Sequence, residues 1–208
     1  MTGSTGSVVL HVLRCIGFAE LSRLADAVGL PAAEVESHLI DLAVAGLVTR
    51  TPGEFGGWGL TEAGRVENAR RVTGEVDATG ARDAVAAAYE KFMVLNPELL
   101  DLCSAWQLRT VDGVVTPNDH SDRAYDARVL DRFADLDQRA QAVCADLSAA
   151  LPRFRRYRIR LAAALDRAQA GALEQLVDTI TSYHTVWFQL HEDLLATLGI
   201  PRQWAAIR

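Results

Sequence analysis

The chain has 208 residues, half of them hydrophobic, with a formal net charge of −6 and a pI of about 5.4. That length can bury one large core or two modest ones, and the acidic balance argues against general affinity for nucleic acid or anionic membranes. No apolar run is long enough to span a bilayer, and the opening MTGSTGSVVLHVLRC carries no basic leader or cleavage pattern, so the expectation is a cytoplasmic protein.

In chain order, residues 8–18 read as a first helix with Val9, Val12, Leu13 and Ile16 on its core face and His11 at the surface or a boundary. Leu21, Leu24, Ala25 and Val28 recur at helical spacing until Gly29, and Pro31 opens a second short helix striped by Val35, Leu39 and Leu42. Gly46 supplies a left-handed stop. Residues 47–50 and 58–61 then read as two strands, around a loop bracketed by Pro52-Gly53 and Gly56-Gly57. Thr61 caps a helix that ends near Gly74. Residues 73–80 are polar and glycine-bearing, which places a domain boundary there and gives domains 1–75 and 76–208.

The second half reads as helical almost throughout. Residues 84–93 form a helix, Asn96-Pro97 breaks it, and residues 98–109 resume with Leu99, Leu102, Cys103 and Trp106 on one side. Residues 110–121 are the longest expected loop. A long helix follows over 122–151, with Val129, Leu130, Phe133, Leu136, Val143 and Leu147 buried, until Pro152 interrupts it. Phe154, Tyr157, Leu161 and Leu165 stripe the next helix, and residues 173–198 form the last. Short connections favour an antiparallel helical bundle. Cys15, Cys103 and Cys144 have no metal-type spacing and read as reduced core residues.

The phrases LADAVGL, VESHLIDLAVAGLVTR and LTEAG resemble the winged helix-turn-helix of bacterial regulators of the MarR and PadR type, over roughly the first third of the chain. The resemblance implies a mainly α fold with a small β-hairpin wing, double-stranded DNA as partner, and a homodimer. WQLR, PNDHSD and SYHTVWFQLHEDLL are also similar to a helical tail of bacterial proteins related to phosphoenolpyruvate-using dikinases. No residue role is carried over from that likeness.

Charge departs from the regulator pattern. Residues 1–75 hold six Arg and no Lys against seven Glu and two Asp, a formal charge of −3, where DNA readers usually carry a basic stripe. Glu34 and Glu36 sit in the helix expected to enter the major groove, which leaves Ser37 and His38 for base edges and Arg50, Arg65, Arg70 and Arg71 for phosphates. The wing segment Glu54-Phe55-Gly56-Gly57-Trp58 lacks a groove-inserting arginine.

Three constellations in the second half offer chemistry. The run Asn118-Asp119-His120-Ser121-Asp122, with Asp126 nearby, provides oxygen and nitrogen ligands or, more simply, a helix cap. His184, Trp187 and His191 share a helix face with Tyr183 and Glu192 beside them, either lining a pocket or edging an amphipathic helix. Arg153 to Arg160, interleaved with Phe154 and Tyr157, suits anion capture or a salt-bridged face paired with Asp131, Asp135 and Asp137. Together they suggest one ligand pocket drawing on Trp106, Gln107, Asp119, His120, Tyr157, Arg160, Tyr183, His184, Trp187, His191 and Glu192.

No nucleophilic triad, phosphate-cradling glycine loop or two-histidine zinc motif is present, so no catalytic residue, cofactor or metal is assigned; metal chemistry at Asp119 and His120 is the minority reading. The sequence therefore reads as a DNA-binding transcription regulator with a small-molecule-responsive helical domain. The alternative is an interaction subunit whose acidic winged helix docks on a protein.

Overall fold

A computed structural model describes residues 2–111 and 113–201; residues 202–208, the end of the expected helical half, lie outside the described residues. The described residues are mainly helical, with eight α-helices and two small antiparallel hairpins. None of these helices is long and apolar enough to cross a membrane.

The chain folds into two compact units. Among the described residues, one holds 2–82 together with 189–201, and the other holds residues from 83 to 188. The sequence pattern places a single boundary near residue 75 and gives no sign that residues 189–201 group with the N-terminal segment.

The first unit begins with α1 (Thr2–Ile16), α2 (Leu21–Val28) and α3 (Ala32–Val44). Gly29 ends α2 in the left-handed conformation (φ 78°), where its amide reaches the Ala25 carbonyl. Pro31 flanks α3 as its N-cap, where its missing N–H costs nothing. Val9, Leu10, Leu13, Leu24, Val35 and Leu39 are fully buried in one core, joined by Val48 and Trp58 from the hairpin. That hairpin pairs β1 (Val48–Thr51) with β2 (Gly57–Leu60), Arg50 opposite Trp58. Ala19 adds a bridge on the other edge of β2, exchanging both backbone hydrogen bonds with Trp58 (3.0 and 2.8 Å).

The Thr61 hydroxyl accepts from Gly64 N (3.0 Å) and donates to Gly46 O (2.7 Å), starting α4 (Glu62–Thr79) and tying it to the end of α3. The helix does not stop near Gly74. An interior glycine costs about 1 kcal/mol, but Val72 and Val76 bury on either side of it, and the left-handed stop is Gly80 (φ 64°). The expected polar linker is therefore helix.

The second unit contains α5 (Arg82–Gln107), counted from Asp83, followed by β3 (Leu108–Val111), β4 (Val114–Pro117), α6 (Arg123–Ala150) and α7 (Arg155–Gln169). Three expectations fail in this half of the chain. Pro97 does not break α5, because the buried stripe Phe92, Leu95, Leu99, Leu102 and Trp106 runs through it; the lost amide bond is outweighed by burial on both sides. The expected loop over 110–121 is largely a hairpin, with Val111 opposite Val114 and Gly113 at φ 81°; the sequence signal was Asp112-Gly113 between β-branched runs.

The third concerns the last helix, α8 (Tyr183–Leu198), which starts ten residues later than the apolar pattern suggests. Ser and Thr side chains ahead of it take over the backbone's partners. Ser182 Oγ donates to Val177 O (3.2 Å) and accepts from Thr185 N (3.2 Å), and Thr185 Oγ1 donates to Thr179 O (2.9 Å). Such local bonds compete with helix. The unit boundary falls inside α8, between Phe188 and Gln189.

Candidate functional site

In the first unit, α3 turns Val35, Leu39 and Leu42 inward and leaves Ala33, Glu34, Ser37, Ile40, Asp41 and Val44 exposed, with Glu36 and His38 half-buried. Ile40 is 52% and Val44 86% exposed, so the outer face is apolar and acidic. The expected phosphate arginines are engaged locally. Arg50 lies over the Trp58 ring (5.7 Å to its centroid), Arg65 pairs with Glu62 (3.0 Å), and Glu67 accepts from both Arg70 (2.7 and 2.8 Å) and Arg71 (2.7 Å). Hydrogen bonds from Arg70 and then Arg71 hold the Glu67 carboxyl down at about 2. Glu20, Glu36, Arg50 and Trp58 line a groove of about 310 Å³ at the mouth of the hairpin.

In the second unit, the segment after β4 folds back onto the end of α5. Asn118, almost buried, donates its amide hydrogens to Trp106 O (3.0 Å) and Asp126 Oδ1 (2.8 Å), and its backbone N donates to Gln107 O (2.8 Å). His120 follows in the left-handed conformation (φ 58°), its amide donating to Asn118 Oδ1 (3.2 Å). Its ring packs 4.7 Å from Trp106, and Nδ1 lies 3.0 Å from Asp126 Oδ2. Both Asn118 hydrogens are already used, so Nδ1 donates to Asp126, which fixes the tautomer.

Asp119 turns away to Arg109 (2.8 Å) and Ser121; the Ser121 hydroxyl and amide, and then Arg109, lower its pKa. Asp122 caps α6 by accepting from Tyr125 N (2.9 Å). Asp119, His120 and Asp122 thus face three different partners. Beside them His120, Arg123, Asp126, Ala127, Leu130, Ala168, Gln169, Gly171 and Leu173 line a cleft of about 440 Å³ between the start of α6 and the end of α7.

Other residues expected in the pocket lie elsewhere. Tyr183 and Trp187 are core side chains. Trp187 stacks on Phe92 (4.5 Å) and donates Nε1 to Asn96 Oδ1 (3.0 Å), while the Tyr183 hydroxyl donates to Asp137 Oδ1 (3.0 Å). Burial, then Asp137, drives the Tyr183 pKa well up. Tyr157 is buried beneath Arg156, whose Nη2 donates to its hydroxyl (3.2 Å), and Arg160 is half-buried. His184 is half-buried, its pKa lowered by desolvation. The Gln107 side chain is exposed. His191 and Glu192 belong to the first unit, where Glu192 faces Arg14 at 3.6 Å. Trp106 and His120 are brought together, whereas Asp119 turns to Arg109; His184 and His191 fall in different units.

Sequence reasoning undervalued Asp126, Asp137 and Asp193, all buried. Each is a carboxylate standing on the apolar stripe of its helix, and that misplacement is the signal that could have found them: Asp126 precedes Val129, Asp137 follows Phe133, and Asp193 follows Leu190. His11, expected at a boundary, is only 3% exposed. No family model, curated protein or solved structure matches this chain.

Proposed function

We propose that this protein is a transcription regulator whose first unit is a winged helix-turn-helix and whose second unit binds a small molecule. The observation that carries the reading is the order α1, α2, a tight glycine turn, α3, then the β1–β2 hairpin, with the start of α3 exposed on the side opposite its buried stripe. In that reading α3 enters the major groove of double-stranded DNA with Ser37 and His38 nearest the base edges. Arg50, Arg65, Arg70 and Arg71 meet phosphates. Three of them sit in surface ion pairs worth about 0–1 kcal/mol, so exchanging a glutamate for a phosphate costs little.

The cleft beside His120 takes the ligand. Asp126 holds Nδ1, leaving Nε2 to bond a bound molecule, while Arg123 supplies a cation and Ala127, Leu130, Ala168 and Leu173 supply apolar walls. This suits a small molecule with an apolar body and an anionic or hydrogen-bonding head. Ligand binding shifts the population of dimers whose two recognition helices match half-sites about one helical turn apart.

A second reading has its own support: Ile40, Val44, Glu34 and Asp41 give α3 a face suited to a basic, apolar protein surface. Fluorescence anisotropy with DNA from upstream of the protein's own gene, against a scrambled duplex at two salt concentrations, separates the two. Selective binding that weakens with salt is expected. Absence of binding at low salt overturns the regulator reading in favour of a protein partner.

A further inference from the structure

His11 and Cys15 stand one turn apart on α1, both buried, and α8 carries the fully buried Asp193 in the same unit. His11 Nε2 lies 2.9 Å from Asp193 Oδ1 and 3.7 Å from Cys15 Sγ. One ligand atom from each residue lies within 4.8 Å of the other two, a grouping found nowhere else among the described residues. On the far side of the ring, His11 Nδ1 is 3.2 Å from Asn68 Oδ1, contributed by α4.

The Asn68 oxygen accepts, so Nδ1 carries a proton. In the neutral ring Nε2 is then a lone pair aimed at a carboxylate oxygen and a sulfur. Imidazole nitrogen, thiol sulfur and carboxylate oxygen thus converge at one place in the core. We propose that His11, Cys15 and Asp193 hold a zinc ion, its fourth position left to a small ligand such as water.

The donor chemistry fits. Imidazole nitrogen, thiolate and carboxylate are the three ligand types zinc takes, at about 2.0–2.1, 2.3 and 2.0–2.2 Å, and the 2.9 and 3.7 Å from His11 Nε2 to the other two donors are separations one ion can bridge at those lengths. Histidine and cysteine at i and i+4 point from one face of a helix. Asn68 fixes the tautomer from behind, as a supporting hydrogen bond to a ligand histidine does. Thr197 Oγ1, 2.7 Å from the Asp193 carbonyl and 3.1 Å from its Oδ1, orients the carboxylate. Binding displaces the Cys15 proton to solvent as the thiolate bonds the metal. The ion would clamp α8 to α1 and α4 within the unit that holds α3.

The test uses the full chain without an affinity tag, refolded with zinc or cobalt(II) and freed of loose metal. One equivalent per chain is expected. Cobalt should give tetrahedral d–d bands and a thiolate-to-cobalt charge-transfer band, lost in Cys15→Ser and kept in Cys103→Ser. X-ray absorption of the zinc-loaded wild-type chain needs no variant and should show a single sulfur scatterer at about 2.3 Å. Absence of stoichiometric metal, or metal bound through nitrogen and oxygen alone, overturns the site and leaves a buried histidine–aspartate hydrogen bond.

Discussion

Arg158 grips Asp137 with both prongs of its guanidinium, Nη1 to Oδ1 at 2.6 Å and Nη2 to Oδ2 at 2.9 Å, and the Tyr183 hydroxyl completes the carboxylate from the start of α8. One buried acid thus fastens three helices of the second unit. Arg158→Ala strands the Asp137 charge and should cost about 3 kcal/mol, the low end for a buried pair because Arg158 is partly exposed. Tyr183→Phe removes one hydrogen bond and should cost about 1–2 kcal/mol. Urea denaturation measures both; equal and small losses would show that the pair is solvated.

His120 should respond to substitution through its backbone as well as its ring. Alanine at φ 58° loses the bond to Asp126 and keeps the left-handed strain, whereas glycine loses the bond and relieves the strain. His120→Gly is therefore expected to be more stable than His120→Ala by about 1 kcal/mol. Chemical denaturation of the two variants side by side settles the order.

Two glycines of α4 should behave oppositely. A Cβ on Gly64 would run into the Leu47 carbonyl oxygen, a backbone atom that cannot swing aside, whereas a Cβ on Gly74 meets nothing within 4 Å. Gly64→Ala should destabilise by more than about 2 kcal/mol through overpacking, and Gly74→Ala should stabilise by about 0.5–1 kcal/mol through helix propensity. Thermal melts of the full chain would show opposite shifts in midpoint.

Glu67 governs how much positive charge α4 presents. Glu67→Gln releases Arg70 and Arg71 from a full negative charge, and if those arginines meet phosphate the slope of log K against log salt should steepen by about one. Arg50→Ala should shallow it by about the same amount. Unchanged slopes in both variants would remove these side chains from any DNA contact.

Desolvation lowers the pKa of His184 from its ordinary 6.5. The folded chain therefore favours the neutral ring more than the unfolded chain does. Its contribution is complete above pH 6.5 and is lost as pH falls from there toward the folded value. His184→Gln should lose less stability than wild type between about pH 7.5 and about 5.5. An identical pH dependence would mean that the ring is solvated.

The sequence by itself determined the local elements of the first unit. Gly29, Pro31, Gly46 and Thr61 act within a few residues of themselves, so the turn, the start of α3, its end and the cap of α4 were legible. The stripes Val35–Leu39–Leu42 and Val129–Phe133–Leu136 were legible for the same reason, because helical period and burial coincide. Only the tertiary structure decided that helix runs through Gly74 and Pro97, since burial of residues on either side outweighs a local cost that sequence rules count alone. It also decided the partners of the buried acids. Within the arginine run expected to face Asp137 it picked Arg158 and added Tyr183, it joined Asp126 to Asn118 and His120 by direct bonds, and it brought Asp193 to His11 across 182 residues of chain. A charge on an apolar stripe announces that a partner exists, but which residue provides it depends on how distant helices pack, a property no local pattern contains.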